Sequence, residues 1–302
     1  MGKALRPTRW LLALYLLPGL AIYSFVVLVP ILSAFRYGMY AWTGGPKMTF
    51  IGLENYLEIL RDEVFRRSFL NNVLMTVYGL IGQVGLGFVL ALLLMSKLVR
   101  LKGLHRTMSF FPSTLAPIII AFLWALIYNY NYGLLNGGLK ALGLERLTQS
   151  WLDLSGPIVL LVSIPLSWQN TGFFTLLMLA GIASINKEVI EVAELDGATG
   201  VRKAWYVVIP LAKPTLIVAS LLCIANNMRG FEHVYALTGG GPGNSSVVMA
   251  LYAYETSFLR FRYGYGSALA IAIMVLTMAM ILIGAALLKG KRDRNGGRDQ
   301  WK

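Results

Sequence analysis

Long windows without a single charged side chain are the feature that most limits what this chain can fold into. The first of them runs from Trp10 to Phe35. As a helix rising about 1.5 Å per residue it would be about 39 Å long, enough to cross a bilayer with some tilt. It is also longer than the apolar core of a secretory signal, so we expect it to stay on the protein as a membrane span.

Six apolar windows, of which only the fifth contains a charged side chain (Lys213), predict an all-α membrane protein with six transmembrane helices. Only 14% of the residues are charged, whereas a soluble domain of this length carries about a quarter. The deficit is concentrated in the windows, which is typical of segments that face lipid. The predicted spans, within a single membrane domain covering residues 1–302, are about 11–35, 69–96, 108–128, 157–183, 204–228 and 267–288.

Nearly all of the charged residues that give the net charge of +13 lie between and beyond these windows. This distribution favours a membrane surface, with lipid as a partner, over nucleic acid. Lysine and arginine are denser in the N-terminal segment, in alternate connectors and in the C-terminal tail. By the positive-inside rule, both termini and the polar loop 186–203 are predicted to lie in the cytoplasm.

Apart from Lys213 in the fifth window, the six windows carry no acidic, basic or histidine side chain. Ion-coupled transporters usually place such side chains there, so a self-powered transporter is disfavoured. A phosphate loop is also absent, since Leu139 follows Gly133-x4-Gly138 where lysine is required. The lone Cys223 and two distant histidines offer no metal cluster. We therefore expect no metal or cofactor in this chain, and an energy source on a partner.

Uncharged polar and aromatic side chains lie within or beside several windows. They can serve interhelical hydrogen bonds, which are common in membrane proteins. They can also line a path for a hydroxyl-rich solute, because such a lining suits a sugar better than an ion. The residues alone leave both interpretations open. The candidate solute path consists of Asn71, Gln83, Trp124, Tyr128, Trp168, Asn170, Asn226 and Asn227.

The segment Glu191–Ala198 lies between the fourth and fifth windows. Residues 187–195 are predicted to form a short helix, with Asn186 as its N-cap, and Gly197 permits a left-handed turn that ends it. A second helix then leads into the fifth span. By physical chemistry alone, this helix–turn–helix either rests on lipid headgroups or offers an apolar ridge to a soluble partner.

The same segment resembles the EAA signature of ABC importer permeases. That pattern is Glu-Ala-Ala, two residues and Asp-Gly-Ala, with Leu-Pro twelve residues further on. The matching residues are Glu191, Ala193, Asp196, Gly197, Ala198 and Pro210, and the departures are Val192, Ala204 and Ile209.

Three further stretches extend the resemblance over nearly the whole chain. They are similar to the sugar-type branch of these permeases, those of the maltose, lactose and glycerol-phosphate kind. The Gly-rich stretch, just before the last window, is characteristic of the first of two sister permeases. The stretches are 50–56, 132–136 and 237–243.

The resemblance implies the MetI-like fold of these permeases, in a bacterial or archaeal plasma membrane, and translocation of a sugar or sugar-like solute. It also implies a sister permease, cytoplasmic ABC ATPase subunits that bind ATP and Mg²⁺, and an extracytoplasmic solute-binding protein. The rival interpretations are a membrane-embedded enzyme, for which no catalytic constellation is evident, and a channel, which would conduct without ATP. The resemblance assigns ATPase coupling within loop 186–203 to Glu191, Ala193, Asp196, Gly197 and Ala198.

Overall fold

A computed structural model describes residues 9–96 and 99–289 of the chain. The two chain ends, whose cytoplasmic location is predicted from charge, lie outside the described residues. The apolar windows are helical because a helix pairs its own backbone donors and acceptors, which lipid cannot do. The first elements are α1 (Arg9–Tyr23), α2 (Val29–Tyr37), β1 (Tyr40–Ala41), β2 (Thr49–Phe50) and α3 (Glu54–Arg61).

The middle of the chain is also built from helices, joined by short 3₁₀ turns. The strands β1 and β2 form the antiparallel two-stranded sheet that precedes this part. The helices are α4 (Glu63–Gly79), α5 (Leu86–Met95), α6 (Lys102–Phe110), α7 (Pro117–Tyr128), α8 (Leu134–Ala141) and α9 (Ile158–Ala183), and the 3₁₀ turns are Phe111–Thr114, Glu145–Leu147 and Trp151–Asp153.

Within the described part of the chain, seven α-helices follow α9. They are α10 (Lys187–Leu195), α11 (Gly200–Lys203), α12 (Ile209–Leu211), α13 (Lys213–Met228), α14 (Glu232–Leu237), α15 (Met249–Tyr254) and α16 (Tyr263–Lys289). Several helices continue through a wider π-helical turn, in which each N–H bonds the carbonyl five residues earlier. In the described ranges these π-helical segments are Ser24–Leu28, Leu80–Gly85, Ala204–Val208 and Glu255–Leu259.

Three helices are long and apolar enough to cross a membrane, namely Trp10–Tyr37, Glu63–Met95 and Tyr263–Leu288. Three more stretches reach that length only as pairs of helices, bent by 100°, 85° and 74°. The described residues therefore hold three spans, or up to six if each bent pair crosses as one. Each predicted window overlaps one of these six stretches. The bent pairs are Lys102–Thr114 with Pro117–Tyr128, Glu145–Asp153 with Ile158–Ala183, and Gly200–Leu211 with Lys213–Met228.

Proline accounts for the sharpest bend. Ala116, the residue before Pro117, has extended backbone angles, as residues before proline prefer. Pro117 then starts α7, where its fixed φ fits and its missing N–H costs nothing. The break between the two helices is therefore encoded locally.

The chain divides into two compact units. Among the described residues, one unit comprises 9–62 together with Ala253–Ala272, and the other comprises Glu63–Tyr252 together with 273–289. The core of the second unit joins α5, α9 and α13. Its members include Phe88, Phe174 and Cys223, all buried.

Candidate functional site

Helix α10 begins as its sequence predicts. The side-chain oxygen of Asn186 accepts a hydrogen bond from the backbone N–H of Glu188 at 3.0 Å. This bond satisfies one of the donors that a helix start leaves unpaired. Glu188 also places a negative charge near the positive end of the helix dipole.

Helix α10 ends in a Schellman motif centred on Gly197. The Ala198 N–H donates to the Ala193 carbonyl at 2.9 Å, and the Gly197 N–H donates to the Glu194 carbonyl at 3.1 Å. These two bonds define the motif, which requires a left-handed residue at its centre. Gly197 has a φ of +83°. The Asp-Gly-Ala part of the signature is therefore the stop of this helix, and Asp196 is its C-cap.

An ion pair connects α10 to α11 across this turn. Lys203 Nζ lies 2.6 Å from Glu194 Oε1, and both side chains are partly exposed. Exposed ion pairs contribute about 0–1 kcal/mol to stability. This pair therefore adds little to stability, and its effect is to keep α10 and α11 close together across the turn.

Helix α10 has one side against the protein and one side exposed. Ile190 packs against the core of the second unit. Val189, Val192 and Leu195 are 45%, 57% and 87% exposed and lie three residues apart along the other side. We call these three residues the α10 ridge. An exposed apolar stripe of this kind is typical of a protein-docking surface.

The other signature residues surround this ridge. Glu191 is exposed on α10, and Ala193 is half-buried. Asp196 and Ala198 border a shallow hollow together with Arg202 and Tyr206. The structure thus brings the predicted coupling residues together on one helix–turn–helix.

A cavity of about 560 Å³ lies between α4–α5, α6–α7 and α9. Trp124 and Trp168 border it, with ring centroids 6.1 Å apart in an edge-to-face arrangement. Tyr128 extends this aromatic group, 5.4 Å from Trp124, and its hydroxyl donates to the Leu161 carbonyl. The described residues that line the cavity include no charged side chain. The lining side chains that carry a hydroxyl group are Tyr78, Ser109, Ser163, Ser167 and Thr171.

Two neighbouring asparagines in α4 hold the segment that follows the Gly-rich loop. Asn71 Nδ2 donates to the carbonyls of Ser245 and Val247, at 2.9 and 2.8 Å. Asn72 Nδ2 donates to the Asn227 carbonyl at 2.8 Å, and its Oδ1 accepts from the Met249 N–H at 2.9 Å. Both side chains are buried, and they anchor this segment to the second span.

The other polar candidates differ in their surroundings. Gln83 Nε2 donates to Asn227 Oδ1 at 3.4 Å, and both side chains are buried. Asn170 Nδ2 bonds the Leu166 carbonyl within its own helix. Asn226 is exposed. Of the predicted path, the aromatic residues therefore gather at the cavity, while Asn71, Gln83 and Asn227 serve hydrogen bonds inside the protein.

One buried polar pair was not predicted from the sequence as a functional contact. Gln169 Nε2 donates to the Leu115 carbonyl at 2.8 Å, and its Oε1 lies 2.7 Å from His233 Nε2. The pair joins α9, next to Trp168, to α14. In the sequence, Gln169 and Asn170 are recognisable as two polar residues after Trp168. The partner of Gln169, His233, is 64 positions away, and no periodic pattern connects the two.

The family model described as "Binding-protein-dependent transport system inner membrane component" matches residues 83–293. A probable ABC transporter permease protein, YurN of Bacillus subtilis, is 36% identical over 82% of this chain and 85% of its own length. The trehalose/maltose transport system permease protein MalF of Thermococcus litoralis is 33% identical over 80% and 81%. The lactose transport system permease protein LacF of Rhizobium radiobacter is 28% identical over 81% and 82%.

Solved structures share the fold. A chain of a bacterial ABC transporter involved in the import of the acidic polysaccharide alginate has a TM-score of 0.80 and 22% identity, covering 93% of this chain and 95% of its own. A chain of a bacterial alginate ABC transporter in complex with alginate pentasaccharide-bound periplasmic protein has a TM-score of 0.78 and 22% identity, covering 95% of this chain and 96% of its own.

Proposed function

Because the chain belongs to the family of binding-protein-dependent transport system inner membrane components, we propose that it forms half of the pore of an ATP-driven importer for sugar-like solutes. It is a transporter subunit of the inner membrane rather than an enzyme. The observation that carries the proposal is the helix–turn–helix of α10 and α11, with its apolar ridge exposed for a partner.

The proposed partner of the α10 ridge is a cytoplasmic ABC ATPase, which binds ATP and Mg²⁺. The cytoplasmic location of α10 rests on the positive-inside rule and on the signature. When ATP binding closes the ATPases, their motion reaches α10 first. The helix α9 ends at Ala183, shortly before α10, and carries Trp168 at the cavity wall. Displacement of α10 is thereby passed to the cavity, which opens to the outside to receive solute.

The proposed solute is a neutral sugar or a sugar-like molecule, delivered by an extracytoplasmic binding protein. The cavity offers two tryptophan rings, several hydroxyl groups and no charge among its described residues. Aromatic rings stack on the apolar faces of sugars, and hydroxyl groups exchange hydrogen bonds with their edges. The names of the relatives for maltose and lactose agree with this class.

Purification of the tagged chain from native membranes in mild detergent tests the proposed function. We expect an ABC-type ATPase and a second permease of similar size to co-purify, because half a pore and its ATPase form one assembly. Mass spectrometry of every co-purifying chain is the measurement. Recovery of this chain alone in several detergents would instead support a channel or a membrane-embedded enzyme.

Replacement of Trp168 by alanine tests the solute path. In proteoliposomes containing the assembled complex, we expect about a two- to tenfold loss of uptake at subsaturating sugar, because stacking on an aromatic ring contributes about 0.5–1.5 kcal/mol beyond its buried area. The sugar used is one that the binding protein of the same transport system binds. Trp168→Phe keeps a stacking ring and is the matched control, for which we expect most of the uptake. Equal uptake by all three proteins would remove Trp168 from the path.

A further inference from the structure

Helix α3 has three distinct sides. Asn55 and Ile59 are buried, at 5% and 6% exposure. Leu53, Leu57 and Leu60 are 57%, 58% and 82% exposed, and their spacing of four and three places them in one stripe. We call these residues the α3 stripe. Beside it, on a third side, lie the exposed polar residues Glu54, Glu58 and Arg61.

The start of α3 is fastened to the end of α2. Asn55 Nδ2 donates to the Gly38 and Tyr40 carbonyls, at 2.8 and 3.0 Å. The Tyr56 hydroxyl donates to the Phe35 carbonyl at 3.2 Å. Burial raises the pKa of Tyr56, so the phenol keeps this proton at neutral pH. Since α2 ends at Tyr37, α3 begins where the first span leaves the membrane.

The end of α3 is fastened to the start of α16. Arg262 lies 2.7 Å from Glu58 Oε2 and stacks over the Tyr265 ring at 4.4 Å. The Tyr265 hydroxyl donates to Asp62 Oδ2 at 2.6 Å. Helix α16 begins at Tyr263 as a span of its own. The short helix α3 is therefore held at the ends of two membrane spans.

The aromatic side chains around α3 agree with a position at the membrane–water boundary. Tyr37 and Trp42 have ring centroids 4.9 Å apart, Trp42 and Tyr263 5.3 Å, and Tyr40 and Phe50 5.4 Å. Tyrosine and tryptophan are enriched at this depth because their rings are apolar and their tips are polar.

We propose that the α3 stripe inserts into the headgroup–acyl boundary of one leaflet, so that α3 is an interfacial anchor and the lipid surface is its ligand. A helix that lies in the interface needs an apolar stripe toward the acyl chains and polar side chains toward water. The α3 stripe and its polar neighbours supply both. Beside the stripe, the Tyr56 ring lies 6.0 Å from the ring of Phe35 in α2, and both Phe35 and Leu32 are exposed on the first candidate span. Lipid is favoured over a protein partner because α3 is held at the ends of two membrane spans, where a stripe of leucines meets the headgroup–acyl boundary.

Site-specific fluorescence quenching tests this anchor. The native Cys223 is buried, so a cysteine introduced by Leu57→Cys can be labelled selectively with bimane in the full-length chain. The chain is placed in vesicles of phosphatidylethanolamine and phosphatidylglycerol. We expect at least about a twofold loss of fluorescence with a lipid nitroxide near the headgroup, a smaller loss with a nitroxide near the acyl end, and little loss with aqueous iodide.

Glu54→Cys, on the polar side of the same helix, is the matched control, and its label should respond to iodide. Leu60→Cys provides a second position on the stripe if Leu57→Cys does not purify as a monodisperse protein. Equal quenching by iodide at Leu57 and Glu54 would overturn the anchor, since the stripe would then face water. A Leu57 label that neither agent quenches would also overturn it, since protein would then cover the stripe.

Discussion

Replacement of Gly197 by valine is expected to remove most of the transport-coupled ATP hydrolysis of the assembled complex. Gly197 has a φ of +83°, and a left-handed residue with a side chain costs about 1–2 kcal/mol, more when it is β-branched. A Cβ at this position would meet nothing within 4 Å, so the effect comes from the backbone alone. The Schellman bonds to Ala193 and Glu194 would break, and α11 would lose its fixed direction from α10. Hydrolysis in proteoliposomes, with and without the loaded binding protein, is the measurement.

The chain contains a matched control for this variant. Gly143 ends α8 in the same motif, with a φ of +72° and bonds from the Leu144 N–H to the Leu139 carbonyl and from the Gly143 N–H to the Lys140 carbonyl. Helix α9, about 39 Å long, separates it from α10. Gly143→Val carries the same strain and should retain coupled hydrolysis within about twofold. Intact coupling in Gly197→Val, or equal loss in both variants, would contradict the coupling role of the turn.

Replacement of Asn72 by leucine should destabilise the chain itself. Leucine has the same number and branching of side-chain heavy atoms as asparagine, but it removes both hydrogen bonds of a fully buried side chain. The Met249 N–H, a donor at the first residue of α15, would be left buried without Asn72 Oδ1. The expected cost is about 1–3 kcal/mol in the free energy of unfolding. Thermal unfolding of the purified chain in detergent should show a lower midpoint.

Asn226→Leu is the matched control for stability. Asn226 lies beside Asn227 on α13, but its side chain is exposed. A surface substitution of this kind changes the free energy of unfolding by about 0.5 kcal/mol or less. If both variants unfolded at the midpoint of the original chain, Asn72 would not anchor the segment that follows the Gly-rich loop.

The helix–turn–helix of α10 and α11 could be predicted from the sequence because its signals are local. Asn186 caps a helix two residues away, and Gly197 ends it through bonds to the preceding turn. Such signals act over one helical turn and do not depend on distant packing. The six apolar windows are equally local, since hydropathy reports that a segment faces lipid or core.

The bends and the long-range hydrogen bonds could not be predicted in this way. The window 108–128 contains Pro112 and Pro117, which indicate a break but not an angle of 100°. Asn72 and Met249 are 177 positions apart, and no periodic pattern says which distant backbone group a buried amide will bond. Composition likewise shows that Gln83 is polar, but not that it faces Asn227 rather than the cavity.

The π-helical segment Leu80–Gly85, which joins α4 to α5, also bears on how the length of the second span can change in evolution. Each hydrogen-bonded ring of a π turn encloses one residue more than that of an α turn. One residue can therefore be lost there, leaving a plain α-helix with both flanking faces unchanged. A deletion anywhere else in the span would rotate the following helix by about 100° and turn Phe88 and Ala91 away from the core. We therefore expect single-residue gaps between relatives to fall at this turn rather than along the rest of the span.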